Sequence, residues 1–170
     1  ELSAKNIIIA TGSRPRQIPG LETDGTLMMN YKDALLPKSF PKNLLILGSG
    51  AIGIEFASFY ANMGAKVTVV EILDRILPVE DQEISEFVRK ELEGQGVEIH
   101  VQSKVLSANK GKDSVAVEME IKKQKQAARH FDAVIVAVGI EGNVENLGLE
   151  NTKVKVERGH ILTDQWCETD

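Results

Sequence analysis

The chain has 170 residues, 42% hydrophobic and 26% charged, with 25 acidic against 20 basic side chains and a net charge of −5. That is an ordinary composition for a water-facing globular domain with one good core. An isoelectric point near 5.3 argues against a nucleic-acid or anionic-membrane partner, and no apolar run approaches the ~20 residues of a membrane span.

The first apolar run, Asn6 to Ala10, is short and β-branched and predicts a buried strand over Lys5 to Ala10, ending in Thr11-Gly12-Ser13. Arg14 to Pro41 holds Pro15, Pro19, Gly20, Gly25, Pro37 and Pro41 and reads as a stiff connector, with one helical turn at Tyr31 to Leu36.

From Asn43 to Glu71 the order is strand, glycine turn, helix, strand, acid. Leu44 to Leu47 meets Gly48-Ser49-Gly50-Ala51-Ile52-Gly53, a helical pattern follows, and Lys66 to Val70 leads to Glu71. This is the pattern of a dinucleotide-binding turn. Gly48 lets the chain leave the strand sharply, Gly50 keeps side-chain atoms away from a pyrophosphate, and Gly53 lets the helix approach the sheet. The phosphates would rest on free N–H groups at the positive end of the helix. Glu71 stands where an acid accepts hydrogen bonds from the adenosine ribose, and its charge would repel the extra phosphate of NADP, so the cofactor predicted is NAD.

Ile52, Phe56, Phe59 and Met63 fall on one helical face and predict the surface packed on the sheet, with Gly64 as the stop. Glu55 reads from its spacing equally as a solvated helix carboxylate or as a residue at the ligand crevice. Ile72 to Val79 is a loop. Asp81 is the expected N-cap of a second helix with the stripe Ile84, Phe87, Val88 and Leu92, closing at Gly94 and Gly96. The acids Glu80, Asp81, Glu83 and Glu86 are explained by the helix dipole alone.

Val97 to Val101 predicts a third strand. The alternation of Val115, Val117, Met119 and Ile121 with polar residues, after Val105 to Ala108 and a turn near Gly111, predicts an antiparallel hairpin with one wet face. Phe131 to Val138 returns to a buried strand ended by Gly139. The fold class predicted is α/β: a Rossmann-like parallel sheet with helices, carrying an antiparallel meander on one crossover. Cys167 is the sole cysteine, which excludes an internal disulfide, and His100, His130 and His160 are scattered without metal-ligand spacing. With no initiator Met and no closing element, the chain reads as an excerpt of a longer one.

The order Ala10 to Ser13, Gly48 to Glu55, Glu71, Arg75 to Asp81, Ala137-Val138-Gly139 and Asn143 to Leu149 resembles the pyridine-nucleotide-disulphide oxidoreductase family across essentially the whole chain. The stretch Glu71 to Gly96 is most similar to its dihydrolipoamide-oxidising branch. The resemblance implies a homodimeric flavoenzyme in which a dithiol reduces a cysteine pair, the pair reduces FAD, and FAD passes hydride to NAD. It implies that residues 1–41 close a flavin domain and connect onward, that 42–140 bind NAD, and that 141–170 return toward the flavin domain.

By the same resemblance, Glu55 would support the nicotinamide, and Val105 and Gly139 would contact NAD through their backbone. Thr11, Gly12 and Ser13 would approach FAD. The redox cysteines would precede Glu1, and the acid/base pair and dimer domain would follow Asp170. Partners would be 2-oxo acid dehydrogenase complexes, in bacterial cytoplasm or a mitochondrial matrix. The return motif Gly139-Ile140-Glu141-Gly142-Asn143 lacks the Arg and Pro many members carry. Two alternatives stay open: an NADH-sensing module without catalysis, and a related NADH-dependent disulphide reductase or NADH oxidase.

Overall fold

The computed structural model describes residues 3–169. In chain order the elements are β1 (Ser13–Pro15), β2 (Met28–Met29), α1 (Tyr31–Leu35), β3 (Asn43–Leu47), α2 (Ala51–Asn62), β4 (Lys66–Val70), α3 (Gln82–Gly94) and β5 (Glu98–His100). Then come β6 (Ser103–Lys110), β7 (Val115–Ile121), β8 (Gln124–Lys125), β9 (Arg129–Phe131), β10 (Ala133–Val136), β11 (Ile140–Gly142), β12 (Val156–Glu157) and β13 (His160–Ile161). They form two compact units: residues 17–139, and a smaller one built from the segments on either side.

The larger unit is an α/β domain around a parallel five-stranded sheet ordered β2-β10-β3-β4-β5. Its strands are buried on both faces, which is why they read as unbroken apolar runs rather than alternating ones. Leu44, Ile46, Val67, Val69 and Ile135 face the helices, packing with Ile54, Phe56, Ala57, Tyr60 and Leu92. Leu45, Leu47, Val70, Val134 and Val136 face the other way, onto Val115, Val117, Met119 and Phe131. That second cover is antiparallel: β7 pairs with β6 along one edge and with β8 and β9 along the other. The meander expected on a crossover therefore also forms the layer that closes the second face of the sheet.

Three readings of the sequence are corrected here. Lys5 to Ala10 forms no strand, and Ile7 and Ile8 are 79% and 91% exposed; a β-branched run becomes a strand only where a ladder receives it, and none of the described strands pairs with it. On α2, Phe59 and Met63 are exposed, while Gly53, Ile54, Phe56, Ala57 and Tyr60 are buried. The helix is apolar on nearly every side, so spacing alone left its rotation undetermined. On α3, Ile84 and Phe87 are exposed, whereas Leu92 and Ser85 are buried; Ser85 is tolerated inside because its Oγ donates to the Leu77 carbonyl at 3.1 Å.

The stretch read as connector contributes to the core. Met28 and Met29 form the edge strand β2 beside β10. Asn30 caps α1 in a reciprocal capping box with Asp33. Asp24 holds the turn before β2 by accepting from Thr26, Leu27 and Met28 backbone N–H groups, and Lys110 pairs with its other oxygen at 3.1 Å. Burial alone would raise its carboxyl, but those donors together outweigh it and hold the carboxyl well below the usual range.

In the smaller unit β1 runs antiparallel to β11, Ser13 opposite Gly142. Strands β12 and β13 form a hairpin across Arg158 and Gly159, both at positive φ, the backbone a two-residue primed turn requires.

Candidate functional site

The site of the larger unit lies at the carboxyl ends of β3, β4 and β10. The parallel register sets Leu47 beside Val70 and beside Val136, so the residues that follow all emerge at one edge. Those residues are Gly48, Glu71 and Ala137. Because the chain runs from β3 to β4 on one side and β10 lies on the other, this is the point where strand order reverses, the place ligands occupy in open α/β sheets.

The three glycines have distinct structural reasons. Gly48 has φ +93°, and a Cβ there would stand 2.4 Å from the Ala137 carbonyl oxygen. A Cβ on Gly53 would stand 2.1 Å from the Gly48 carbonyl oxygen, so both are demanded by backbone packing. Gly50 is different: nothing lies within 4 Å of where its Cβ would be. Gly50 is also the N-cap of α2, where no side chain caps the helix and no acid occupies the first turn. Free N–H groups, a positive helix end and open space above a glycine together fit a pyrophosphate.

Glu71 is 6% exposed and its carboxylate belongs to the turn. Oε2 accepts from the Ser49 backbone N–H at 2.9 Å and from Ser49 Oγ at 2.7 Å. Oε1 accepts from the Leu73 N–H at 2.8 Å. Its own backbone is pinned by Glu71 N donating to the His100 carbonyl and Ser103 N donating to the Glu71 carbonyl, at 2.8 and 2.9 Å. The 72–81 loop closes over the turn through Leu77, at φ +45°, whose N–H donates to the Ser49 carbonyl at 2.8 Å.

Gly48, Ser49, Gly50, Ala51, Ile52, Gly53 and Glu71 are thus gathered at one place. Gly139 follows β10 at φ +108° with open space around its Cβ direction. Glu55 is exposed on α2 and lines a groove of about 450 Å³ between α2 and α3, with Ile54, Ser58, Phe59, Phe87 and Leu92. Val105 stands in β6 opposite Met119, beside a bulge, and packs on the second core cluster. In the smaller unit, Thr11 Oγ1 donates to the Asn143 carbonyl and Asn143 Nδ2 donates back to the Thr11 carbonyl. Asn143 N–H donates to the Gly12 carbonyl, and Ser13 opens β1. Sequence reasoning missed the Ser49 hydroxyl and the Leu73 and Leu77 amides; a short hydroxyl between two glycines, 22 residues before the acid, was the available signal.

The family model described as pyridine nucleotide-disulphide oxidoreductase matches residues 1–170. The chain belongs to this family. Among pyridine nucleotide-disulphide oxidoreductases it is 49% identical over 168 residues to the dihydrolipoyl dehydrogenase of Rhizobium etli, covering 99% of this chain and 35% of that protein. It is 40% identical over 169 residues to that of Bacillus subtilis, covering 99% and 36%. The chain thus spans about a third of the length of the curated relatives it matches. Its fold is similar to LpdA of Mycobacterium tuberculosis, with a TM-score of 0.81, 26% identity, and coverage of 94% of this chain and 34% of that one. It is also similar to the HOCl-induced flavoprotein disulfide reductase RclA of Escherichia coli, with a TM-score of 0.77, 31% identity, and coverage of 94% and 36%.

Proposed function

We propose that this chain is the NAD-binding portion of a dihydrolipoyl dehydrogenase-type flavoenzyme, working as a homodimer on 2-oxo acid dehydrogenase complexes in the bacterial cytoplasm or mitochondrial matrix. The observation that carries the reading is the Glu71 carboxylate locked into a glycine turn whose middle glycine, Gly50, opens onto empty space. The turn from Gly48 to Gly53 holds the pyrophosphate on the α2 N-terminus. Glu71 receives the adenosine ribose and disfavours a 2′-phosphate by charge. Glu55 supports the nicotinamide end, Val105 and Gly139 offer backbone groups, and Thr11, Gly12 and Ser13 approach FAD.

The chemistry itself belongs to the cofactors: NAD accepts hydride from reduced FAD, which a dithiol has reduced through a cysteine pair of the parent. This chain's residues contribute binding and orientation. The 31% identity to a flavoprotein disulfide reductase favours, as second reading, a parent that runs the same carriers toward reduction of a disulphide substrate.

The test is calorimetry of NAD and NADP on the full-length parent, with dihydrolipoamide-dependent NAD reduction as the activity. Wild type should prefer NAD, and Glu71→Arg should shift the preference toward NADP by tenfold or more, about 1.4 kcal/mol. A folded Glu71→Arg protein with unchanged preference, or a parent inert toward dihydrolipoamide, overturns the proposal.

A further inference from the structure

We infer that Asn143 is a positioning residue for the flavin: its side-chain amide turns the Thr11–Gly12 peptide so that the Gly12 N–H is offered outward as a donor to FAD. This rests on the flavoenzyme reading above and deepens it.

The direction of the amide is fixed by its neighbour. Arg14 Nη1 lies 3.1 Å from Asn143 Oδ1, and a guanidinium can only donate, so the oxygen must face it. Asn143 Nδ2 therefore faces the Thr11 carbonyl and donates to it at 3.0 Å. The peptide between Thr11 and Gly12 is trans, so its N–H points opposite to the held carbonyl. Nothing accepts from that N–H among the described residues, and Gly12 is exposed, with no side chain to cover it. An unpaired donor on a glycine fits an acceptor oxygen or nitrogen of a flavin nucleotide.

Two further bonds join the same residues, and neither sets that peptide. Thr11 Oγ1 donates to the Asn143 carbonyl at 2.7 Å, which fixes a side chain. The Asn143 N–H donates to the Gly12 carbonyl at 3.0 Å, which holds the next peptide along. Gly12 stands at φ +77°, and because a glycine accepts either sign of φ, the peptide before it can rotate at little steric cost. The Asn143 amide is the contact that stops it.

Asn143→Asp in the full-length parent tests this. The aspartate keeps an acceptor for Arg14 and sets its second oxygen against the Thr11 carbonyl, so the peptide turns away. The parent is stripped of flavin and titrated with FAD by flavin fluorescence, with amide exchange at Gly12 and thermal unfolding alongside. In wild type, FAD should slow exchange at Gly12. Asn143→Asp should weaken FAD about tenfold and abolish that protection. Glu145→Gln loosens the Arg14 fork while the Thr11 carbonyl stays held, and it should bind FAD as wild type does. Asn143→Ala removes the same donor without adding charge and gives the result should the aspartate variant unfold. A Gly12 amide indifferent to FAD in wild type, an unchanged FAD affinity in a folded Asn143 variant, or an equal loss in Glu145→Gln overturns the inference while the flavoenzyme reading stands. A wild-type parent that takes up no FAD overturns both.

Discussion

Arg129 grips both oxygens of Glu98, Nη1 at 3.0 Å from Oε1 and Nη2 at 2.8 Å from Oε2, while its guanidinium lies 5.2 Å above the Phe131 ring. Thr68 on β4 donates to the same Glu98, and His100 Nε2 lies 2.8 Å from it. The contact joins the antiparallel layer to the parallel sheet. The Arg129 bond, ahead of the other causes, lowers the Glu98 carboxyl to about 2. A depressed carboxyl contributes stability above its unfolded value near 4.3, and that stability is lost as pH falls toward 2. Arg129→Ala should therefore cost about 1 kcal/mol in urea unfolding at pH 7, and the gap from wild type should close between about pH 4.5 and 2. A gap independent of pH would assign the loss to packing on Phe131 instead.

Gly50 and Gly53 should separate binding from folding. Gly53→Ala drives a methyl into the Gly48 carbonyl, and because that obstacle is backbone the overpacking cost should reach about 3 kcal/mol or more. Gly50→Ala meets no protein atom and has φ −67°, so its melting temperature should match wild type while NAD affinity falls. A Gly50→Ala protein with undiminished NAD binding would remove the pyrophosphate from this turn.

Tyr60 is buried at the centre of an aromatic group, edge-on to Phe59 with centroids 5.2 Å apart, and its hydroxyl donates to the Ala34 carbonyl at 2.7 Å. Tyr60→Phe should cost about 1 kcal/mol, since the carbonyl loses its donor. Burial raises the Tyr60 hydroxyl above its usual value. Its stabilising contribution is thus complete below the unfolded value near 10 and lost as pH climbs through the raised one. The phenylalanine variant should lack that alkaline loss, read as stability from pH 8 to 11.

Arg14 is the clasp of the smaller unit. Its Nε donates to Glu141 at 2.9 Å, and its two terminal nitrogens fork onto Glu145 while Nη1 also reaches Asn143 Oδ1. A lysine cannot reproduce that planar fork. Arg14→Lys should speed amide exchange at Gly142 and Asn143, whose N–H groups donate to Gly159 and Gly12. The Arg14 bond lowers Glu145 to about 2, so the protection in wild type should persist well below pH 4.5 and disappear toward pH 2.

Much of the site was legible because a glycine turn is dictated by local backbone demands. Gly48 and Gly53 are fixed by contacts a sequence pattern already encodes, and the acid follows at its expected distance. What escaped was decided at long range. Met28 and Met29 are too short a strand to announce themselves among turn residues, and the rotation of α2 depends on which of its many apolar side chains the sheet accepts. Ile7 to Ile9 show the opposite error, a local strand preference without a ladder. The Ser49 hydroxyl meets Glu71 only because Leu47 and Val70 share a register.

Strand β10 lies between β2 and β3 although 85 residues separate it from β3, Ala133 to Val136 pairing with Leu44 to Leu47 in a ladder that also receives Met28 and Met29. On the ribosome, then, β3 emerges with one edge bare, and it stays bare while the helices and the whole meander are made. Contacts this distant in the chain close slowly, and an unpaired apolar edge invites other chains. The last few residues of the sheet to be synthesised are those that seal its middle, so a nascent chain halted before Ala133 would carry every glycine of the nucleotide turn and still lack the floor beneath it.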